Sequence, residues 1–535
     1  MKIETLSFER TEEIIREFQV SKLCAKVLSA KGLSNQEIYE ILKPAQLGDP
    51  LSAYGMKKVV DRIYQAKVLN EKVLVCGDYD ADGICSTTIM VDALRRYGVK
   101  CGYYIPNRFK EGYGLHVHTV NMAYEKGYRL LITVDNGVKA LAALEKAKEL
   151  GMDVIITDHH ALEDTLDCFA LLHPVYMGEQ FQYLSGAGVA LEVSRVLIGD
   201  CKEHIVLACV AAIADVMELK KETRAIVKLG IQYLNEGLCL PIQCLANDRY
   251  PQWDEMTIAF QVVPKINVTG RLADMANANN TVRYLLMQNI QDIKYMAKQI
   301  SELNEKRKQM SEDMVKIAKS LVKEEYEFQL LFDDSFHEGM VGLVAGKIAE
   351  ERKQPVMVVA KNNEHYKGSI RSAGLLDLTT FFDECKDTLQ SYGGHKAAAG
   401  IGFLVEHKQL IQDYVNNKMK DITLKAEETY KVIPIDLSEM SLAEVQSLHQ
   451  LAPFGQGFEE PLFYISNTNV LECKKLKQGL HAKWTISDYA DAMYFHCGHV
   501  LDQLVNKTSL SFIGNLRVQS FMGRKKVNIF VVDAH

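Results

Sequence analysis

Three short apolar runs in this chain each end shortly before acidic or imidazole side chains, and helical stretches separate them. The runs and the residues after them are Val73–Cys76 before Asp78, Asp80 and Asp82; Leu130–Val134 before Asp135; and Val154–Thr157 before Asp158, His159 and His160. Runs rich in β-branched residues and bounded by turn residues predict parallel strands. Because the carboxyl ends of such strands share one crevice in an open α/β sheet, we expect these side chains to meet there.

The expected cluster of carboxylates predicts a metal site. Several carboxylates so close together would repel one another and take up protons unless divalent cations bound between them. Oxygen ligands with one or two imidazoles suit Mn²⁺ or Mg²⁺ better than Zn²⁺, and the twelve cysteines include no C-x-x-C pair. A single Asp after a strand is more often a helix N-cap or a turn residue, so the recurrence of the pattern favours the metal.

The length of the chain implies several domains. At 535 residues it exceeds one ordinary hydrophobic core and suggests about three. Strand and helix patterns alternate from Val73 to about Asp215, which predicts a first α/β domain. The segment Arg271–Glu338 has neither Gly nor Pro, and Gln288–Lys323 is predicted to be a long helix that connects two domains. An isolated coiled coil is the alternative.

A second α/β unit and a β-rich end are expected after this helix. Strand candidates Gln329–Phe332 and Pro355–Val359 flank the helical stretch Val341–Glu351. After about Lys431, short alternating strands predict a small barrel of the OB type. The predicted segments are 1–60, an N-terminal helical extension; 61–275, the first α/β domain; 276–325, the connecting helix; 326–430, the second α/β domain; and 431–535, the OB-like barrel.

Composition predicts a cytoplasmic protein. No stretch approaches the roughly 18 uninterrupted apolar residues of a membrane span. The first residues include four glutamates and no apolar leader, and the dispersed cysteines are typical of reduced, buried thiols. The net charge of −7 includes the carboxylates that metals would offset, so it does not decide the substrate.

Motifs along most of the chain resemble those of one family. They are Gly77–Gly83, Val134–Gly137, Asp158–His160 and Ala214–Val216, with Pro106–Arg108, Glu111–Leu115, Leu184–Ala190, Ile266–Asn267, Gly270–Arg271, Gly368–Ser372, Gly393–His395 and Ala452–Gly457. The first four resemble the DHH phosphoesterase superfamily in order and approximate spacing, and the others narrow the resemblance to the RecJ single-strand-specific exonucleases. The resemblance implies a DHH catalytic domain at 61–275, a DHHA1-type substrate-binding domain at 326–430 and a nucleic-acid-binding domain at 431–535.

The resemblance also implies the roles of the acidic and imidazole residues. Two metal ions, Mn²⁺ or Mg²⁺, are expected. Asp80 would bind one ion, Asp82, His159 and Asp215 would bind the other, and Asp135 would bridge both. His160 is expected to contact the scissile phosphate or order the nucleophile. Asp78 either completes the ligand set or orients it, and both roles stay open. Cys76 is an alternative ligand, although a buried core thiol is the favoured interpretation.

Substrate-binding residues follow from the same resemblance. Guanidinium groups match phosphate geometry, and a pocket for a 5′ terminal phosphate corresponds to Arg108, Arg271, Ser369 and Arg371. Surface ion pairing is the alternative for Arg108 and Arg271. His395 follows two glycines and is expected to contact nucleic acid rather than to lie in a core.

The C-terminal barrel is expected to bind single strands. Aromatic faces stack on bases and cations contact the backbone. The candidates are Trp484, Tyr494 and Phe521, near Lys474, Lys475, Lys477, Arg517, Arg524, Lys525 and Lys526. Several of these aromatics are also needed to fill a barrel interior. Removing the region after Tyr430 is expected to weaken binding of long strands and to spare the metal centre.

The sequence thus predicts a metal-dependent 5′ to 3′ exonuclease that degrades single-stranded DNA to mononucleotides in DNA repair and recombination. We expect a monomer without membrane contact, with single-stranded DNA as substrate and with a helicase and a single-strand-binding protein as partner classes. One alternative is a phosphodiesterase of short oligonucleotides or cyclic dinucleotides. Another is a non-catalytic single-strand-binding replication scaffold, which the intact acidic residues disfavour.

Overall fold

A computed structural model describes residues 2–162, 165–246, 252–424, 429–498, 500–521 and 524–535. The side chains of Gln478 and Phe521 lie outside this description, so the proposed stacking role of Phe521 falls outside it as well. The described strands form three sheets, of five, five and eight strands. No described helix is long and apolar enough to span a membrane.

The N-terminal segment packs on the far end of the chain. It consists of β1 (Lys2–Thr5), α1 (Thr11–Phe18), α2 (Lys22–Ala30) and α3 (Asn35–Leu42). Two of these helices start at serine caps: Ser21 caps α2, and Ser34 forms a capping box with Glu37 before α3. Strand β1 pairs in parallel with the segment that begins at Thr429, and fully buried Leu23 shares a core with Ile433. The helices were predicted from sequence, but this long-range packing was not.

A parallel five-stranded sheet forms the first α/β unit, as predicted. Its elements are α4 (Met56–Val68), β2 (Lys72–Cys76), α5 (Ala81–Tyr97), β3 (Lys100–Tyr104), α6 (Val117–Glu125), β4 (Tyr128–Val134), α7 (Leu141–Glu149), β5 (Asp153–Thr157) and β6 (Ala170–Leu172). The strand order is β3-β2-β4-β5-β6 and every neighbouring pair is parallel. The apolar runs are buried because helices cover both faces of the sheet.

Helices then build one side of this unit and lead into the long connector. They are α8 (Pro174–Met177), α9 (Gly186–Ile198), α10 (Lys202–Ala214), α11 (Lys221–Asn235), α12 (Leu240–Gln243), α13 (Glu255–Thr257), α14 (Val263–Ile266), α15 (Val268–Arg271), α16 (Ala278–Leu285) and α17 (Ile290–Leu321). The 32-residue α17 confirms the predicted connecting helix and starts at Asn289, whose side chain accepts from two backbone N–H groups. Its buried residues Ile293, Ala297 and Ile300 recur at helical spacing, so one face packs on the first unit.

The second α/β unit has a mixed sheet. Its elements are β7 (Gln329–Phe332), α18 (Val341–Arg352), β8 (Val356–Asn362), β9 (His365–Arg371), β10 (Leu389–His395), β11 (Ala398–Leu404) and α19 (Lys408–Met419). The order is β10-β11-β9-β8-β7, with only β7 and β8 parallel. Strands β9 to β11 were not predicted, because glycines interrupt their apolar alternation.

An eight-stranded sheet forms the C-terminal part. Its elements are β12 (Thr429–Pro434), α20 (Leu442–Ser447), β13 (Phe463–Asn469), β14 (Glu472–Leu476), β15 (His481–Thr485), β16 (Ala490–Tyr494), α21 (Leu501–Leu504), β17 (Ser509–Phe521) and β18 (Arg524–Ala534). The strand order is β1-β12-β13-β17-β18-β16-β15-β14. Short strands occur throughout this region, as predicted, and β1 adds an edge that comes from the other end of the chain.

Candidate metal centre and substrate cavity

The turn after β2 brings two acidic residues to the edge of the sheet. Asp80 caps helix α5 and accepts a hydrogen bond from Gly83 N at 3.1 Å, so the capping role expected of a single Asp is present here. A Cβ on Gly83 would lie 2.5 Å from the carbonyl oxygen of Asp78, which explains why glycine occupies this position. Asp78 is buried, and its Oδ1 has no hydrogen-bond partner among the described residues.

The start of α9 holds Asp82 by three hydrogen bonds. Gly186 N donates to Oδ2 at 2.7 Å, while Ala187 N and Ser185 Oγ donate to Oδ1 at 2.7 and 3.1 Å. Gly186 also lies against Asp135, because a Cβ on Gly186 would be 2.6 Å from the Asp135 Cβ. The motif Leu184–Ala190, which contains this glycine, had no predicted role beyond the family resemblance. Its role is to orient one carboxylate and to make room for another.

Asp135 follows β4 in a left-handed conformation, with φ of 59°. This conformation is uncommon outside glycine, and Asp tolerates it better than most residues. The side chain is 2% exposed, and its Oδ1 has no hydrogen-bond partner in the described part of the chain. The nearest cationic candidate is His159, whose Nε2 lies 3.1 Å away. An unsatisfied buried carboxylate oxygen is what a site for a cation requires.

Asp158 positions the two histidines and was missing from the predicted site. Its Oδ1 accepts from His159 N at 2.7 Å, from His160 N at 3.1 Å and from His160 Nδ1 at 2.8 Å, and its Oδ2 accepts from Val138 N at 3.1 Å. With its carboxylate saturated in this way, Asp158 acts as a support for the histidines. The sequence hint was its place directly before both histidines.

His159 faces three predicted ligands at once. Its Nε2 lies 3.1 Å from Asp135, 3.6 Å from Asp82 and 3.5 Å from Asp215. Asp215 follows the last residue of α10, and its side chain is 40% exposed, whereas the side chains of Asp82 and Asp135 are only 2% and 3% exposed. Burial lowers the pKa of His159, which favours the neutral imidazole that binds metals.

His160 lies beside this group and is held from two further sides. His173 Nε2 donates to the His160 carbonyl oxygen at 2.8 Å, and Tyr113 OH donates to the Asp135 carbonyl oxygen and lies 3.2 Å from His160 Nδ1. Burial alone would lower the pKa of His160, but the hydrogen bond and charge of Asp158 raise it overall. Neither Tyr113 nor His173 was predicted as a site residue.

The electrostatics of the cluster fit divalent cations. Ligand atoms within 4.8 Å of one another occur in three overlapping groups: Asp78, Asp80 and Asp135; Asp82, His159 and Asp215; and Asp135, His159 and His160. Burial, followed by the charges of neighbouring carboxylates, raises the pKa of Asp135 and that of Asp215, the latter to about 7. Together with the two unpartnered oxygens described above, this shows that the residues present suit hard cations with oxygen and imidazole ligands.

Cys76 does not belong to this cluster. It ends strand β2 and is buried. Burial raises the pKa of its thiol to about 12, so the thiol stays neutral at physiological pH. Its place in the core of the sheet agrees with the expectation of a packing residue.

A cavity of about 1110 Å³ opens beside the metal cluster, between the first and second α/β units. It is lined on one side by Asp78, Asp80 and Arg108, and on the other by the second unit. The lining residues from β9 and β10 include Ser369, Arg371 and Gly393. His395 is exposed at the end of β10, which excludes the core alternative, but it is not part of the lining.

Guanidinium groups from three parts of the chain converge on this cavity. Arg371 Nη1 donates to Ser369 Oγ at 2.8 Å, and the Arg108 guanidinium lies 5.1 Å above the Tyr79 ring. Neither Arg108 nor Arg271 forms an ion pair with a carboxylate of the described residues. This arrangement departs from the surface ion pairing that was the alternative for both residues.

Arg271 lies among the other cations of this cluster. Burial, then the positive charges of Arg108, Arg307 and Arg371, lower its pKa to about 10. Arg307 lies on α17 and was not predicted, and its Nε is buried without a hydrogen-bond partner among the described residues. Mutually repelling cations with unsatisfied donors indicate a site for an anion such as phosphate.

Two of the three aromatic residues proposed for stacking in the C-terminal region, Trp484 and Tyr494, are not available for it. Trp484 is fully buried and Tyr494 is 9% exposed, so both fill the core of the sheet. These aromatics are buried because alternate residues of a half-buried strand face the core, where large aromatic side chains commonly pack. Among the cations proposed alongside them, Lys474, Lys475 and Lys526 are paired with Glu472, Asp502 and Asp491. Arg517 is paired with Glu460.

Three family models match the chain in sequence order. They are the DHH family N-terminal domain over residues 72–219, the DHHA1 domain over residues 316–421 and the RecJ OB domain over residues 433–533. The first contains all the residues of the metal cluster, and the second contains Ser369 and Arg371. The first two matches cover both five-stranded sheets, and the third covers most of the eight-stranded sheet but not its edge strand β1.

Individual relatives agree with these models. The single-stranded-DNA-specific exonuclease RecJ of Bacillus subtilis (strain 168) is 31% identical over 98% of this chain and 69% of its own length. The crystal structure of RecJ from Thermus thermophilus in complex with Mn²⁺ has a TM-score of 0.87 at 24% identity, covering 100% of this chain and 79% of that chain. The Mg²⁺ complex of that protein has a TM-score of 0.81 at 24% identity, with coverages of 100% and 78%. The two solved structures establish the fold, and the sequence identity over nearly the whole chain establishes descent: this chain belongs to the RecJ family of single-stranded-DNA-specific exonucleases.

Proposed function

We propose that this chain is a metal-dependent exonuclease that hydrolyses single-stranded DNA from the 5′ end and releases 5′-mononucleotides. The observation that carries the proposal is the shared cavity, in which a buried carboxylate and histidine cluster lies next to a cluster of guanidinium groups. Phosphodiester hydrolysis at a chain end needs both features, one at the scissile phosphate and one at the terminal phosphate.

The residues of the cluster would hold two ions. Asp82, His159 and Asp215 would bind one, Asp80 would bind the other with Asp78 in support, and Asp135 would contribute to both. When bound, such ions make a water nucleophilic near neutral pH and offset the charge of the attacking and leaving oxygens. His160, whose raised pKa favours the protonated form, would donate a hydrogen bond to a phosphate oxygen.

Other residues of the chain orient the strand. Ser369 and Arg371 would bind the 5′ phosphate, with Arg108 and Arg271 offsetting its charge. Gly339 lies directly against the Arg271 carbonyl oxygen, and a side chain there would collide with it, so the second α/β unit packs closely on the first beside this cluster. A terminal phosphate bound by these residues would orient the adjoining phosphodiester toward the metal cluster, which supports cleavage from a terminus.

A wider role accompanies this activity. Participation in DNA repair and recombination, next to a helicase and a single-strand-binding protein, is part of the same proposal and is supported by the family resemblance alone. Specificity for single strands is supported by the named activity of the Bacillus subtilis relative.

The test uses the full chain with Mn²⁺ or Mg²⁺ and DNA labelled at either end. We expect mononucleotides to appear first from the 5′ end of single strands, with no product in chelator and little from blunt duplexes. Rapid hydrolysis of dinucleotides together with inert long strands would instead support the oligonucleotide phosphodiesterase. Binding of single strands without hydrolysis under every metal condition would support the scaffold alternative.

A further inference from the structure

Asp215 is held in place differently from the other residues of the metal cluster. Asp78 and Asp80 lie in the short turn between strand β2 and helix α5, and Asp135 directly follows strand β4. Asp215 lies where helix α10 ends, and the next residue, Val216, has φ of 54° and is 65% exposed. The backbone that carries this carboxylate therefore needs support from elsewhere.

That support comes from the C-terminal part of the chain. Leu219 N donates to the carbonyl oxygen of Gln456 at 2.9 Å. Gly455 lies on the same leucine, since a Cβ on Gly455 would be 2.8 Å from Leu219 Cδ1. Leu219 is 4% exposed and so has little room to move aside. The loop 452–458 thus contacts the segment four residues after Asp215.

Two charged side chains of the first unit fix this loop in turn. Arg224 donates from Nη1 to the Pro453 carbonyl oxygen at 2.9 Å and from Nη2 to the Leu451 carbonyl oxygen at 2.7 Å. Its guanidinium lies 4.7 Å from the Phe458 ring centre, and the residue is buried. Phe454 N donates to the carboxylate of Glu255. The loop is therefore an anchored part of the first unit, although it belongs in sequence to the last one.

We propose that loop 452–458 is a positioning element of the metal centre, which holds Asp215 opposite Asp82 and His159. The proposal rests on the assignment of Asp215 as a ligand under the proposed function. Metal–ligand distances tolerate changes of only about 0.2 Å, so a shift of the 215–219 backbone removes one ligand from its ion. The residues that orient ligands commonly change metal affinity by about 10- to 100-fold when altered.

The test is a Mn²⁺ titration of the full chain by calorimetry, with folding checked by circular dichroism and thermal melting. In Gly455→Ala, the added methyl displaces Leu219, and we expect the affinity of one of two Mn²⁺ sites to fall by about 10- to 100-fold. The second site should be unchanged. Gly346→Ala is the matched control, because a Cβ on Gly346 meets nothing within 4 Å, and both affinities should stay at the wild-type values.

A rescue separates positioning from general damage. Adding Leu219→Ala to Gly455→Ala removes the atoms that collide, so part of the lost affinity should return. Arg224→Lys, which keeps the charge but not the paired carbonyl contacts, should weaken the same single site. Unchanged Mn²⁺ affinities in folded Gly455→Ala and Arg224→Lys proteins would overturn the proposal.

Asp215→Asn distinguishes this outcome from a failure of the proposed function. If Asp215→Asn removes one Mn²⁺ site and the loop variants do not, only the positioning role is wrong. If Asp215→Asn also leaves both sites unchanged, the ligand assignment itself is wrong, and the inference falls with it.

Discussion

Asp135 and Asp158 follow neighbouring strands, yet their carboxylates have opposite surroundings. Asp158 accepts four hydrogen bonds, and although burial alone would raise its pKa, the hydrogen bond and charge of His160 and the backbone donors lower it. Asp135 has an oxygen without a partner among the described residues and a raised pKa because of burial and the neighbouring carboxylates. The two residues look equivalent in sequence, but one is a support and the other a candidate ligand.

The first prediction concerns Asp135→Asn, which keeps the shape of the side chain and tolerates a positive φ. Hydrolysis should fall by more than about a hundredfold, beyond the usual effect of changing a residue that only orients a ligand. In the presence of a chelator, the melting temperature of the variant should exceed that of the wild type, because the repulsion among the buried carboxylates is reduced. The expected increase is roughly 2–4 °C for each kcal/mol of repulsion relieved. Wild-type turnover in a folded variant would rule out Asp135 as a ligand.

The second prediction concerns Arg371. Arg371→Ala should reduce hydrolysis of 5′-phosphorylated strands by about 10- to 100-fold, the value of a hydrogen bond to a charged group, and should affect 5′-hydroxyl strands much less. Arg371→Lys keeps the charge but cannot form the two parallel hydrogen bonds of a guanidinium group. Its activity on 5′-phosphorylated strands should therefore lie between that of the wild type and that of Arg371→Ala. Both strands are compared in one reaction with different labels. Equal losses on both would make Arg371 a general backbone contact or a structural residue.

Helix α9 links the metal centre to the interior of the first unit. Its first turn donates to Asp82, and one turn later Glu192 is buried beside Arg195 and Glu222. Burial, then the charge of Glu222, raise the pKa of Glu192 to about 8, although Arg195 opposes the shift. A carboxyl group with a raised pKa in the folded state favours folding while it is protonated.

The third prediction is the pH dependence that follows from Glu192. The contribution of protonated Glu192 to the free energy of unfolding is fully present below its pKa in the unfolded chain, near 4.5, and is lost as the pH rises through its pKa in the folded protein, about 8. Between these two values the free energy of unfolding falls by up to about 1.4 kcal/mol per pH unit. Glu192→Gln removes this titration, so its melting temperature should fall less between pH 6 and pH 8 than that of the wild type. If the melting temperatures of both proteins fell equally between pH 6 and pH 8, the pKa of Glu192 in the folded protein would not be raised.

Sequence patterns were sufficient for elements whose residues are uniform and local. Residue spacing alone predicted strands β2, β4 and β5 from their β-branched runs, and helix α17 from a stretch without Gly or Pro. Parallel pairing of these strands then places Asp80, Asp135 and His159 at one edge of the sheet. The start of α9 was not assigned a role, because Ser185 meets Asp82 across more than a hundred residues. Nothing in local periodicity encodes such a contact, and the same holds for Arg307.

At the scale of the whole molecule, the two ends of the chain share one core. Ile14 and Leu28 of the N-terminal helices are fully buried with Phe463 and Phe512 of the C-terminal sheet. The truncation near Tyr430 suggested by the sequence would therefore expose this core and remove the loop that supports Leu219. If loop 452–458 positions Asp215 as proposed, this truncation would also alter the metal centre.

The fourth prediction follows from this shared core. Removing residues 1–42 should destabilise the C-terminal sheet although that sheet is complete in sequence, because each large buried side chain that is lost costs about 2–5 kcal/mol. Limited proteolysis should then cleave within 433–533 at protease concentrations that leave the full chain intact. Resistance equal to that of the full chain would show that the C-terminal part folds independently.

The fifth prediction tests substrate binding by the C-terminal sheet without truncation. Arg524 and Lys525 are exposed at the start of β18, so reversing both charges with Arg524→Glu and Lys525→Glu should leave the fold unchanged. If they contact phosphates, the slope of log affinity for long strands against log salt should fall by about 0.7 per lost contact. Lys298→Glu with Lys316→Glu, on the exposed face of α17, changes the net charge equally and is the control. Equal slopes in both double variants would exclude a local contact.

The pairing of β1 with β12 also fixes the order in which the molecule can be completed. During synthesis, residues 2–42 emerge before any of the three sheets, but their partner strand begins only at Thr429. At roughly 5–20 residues per second, this delay is on the order of tens of seconds, which is long compared with helix formation. The apolar faces of α1 to α3 therefore stay without their final partners while both α/β units are synthesised. Contacts between residues so far apart in sequence also form slowly. Residues 2–42 therefore reach their final place long after they are synthesised, and their apolar faces need protection from aggregation in the meantime.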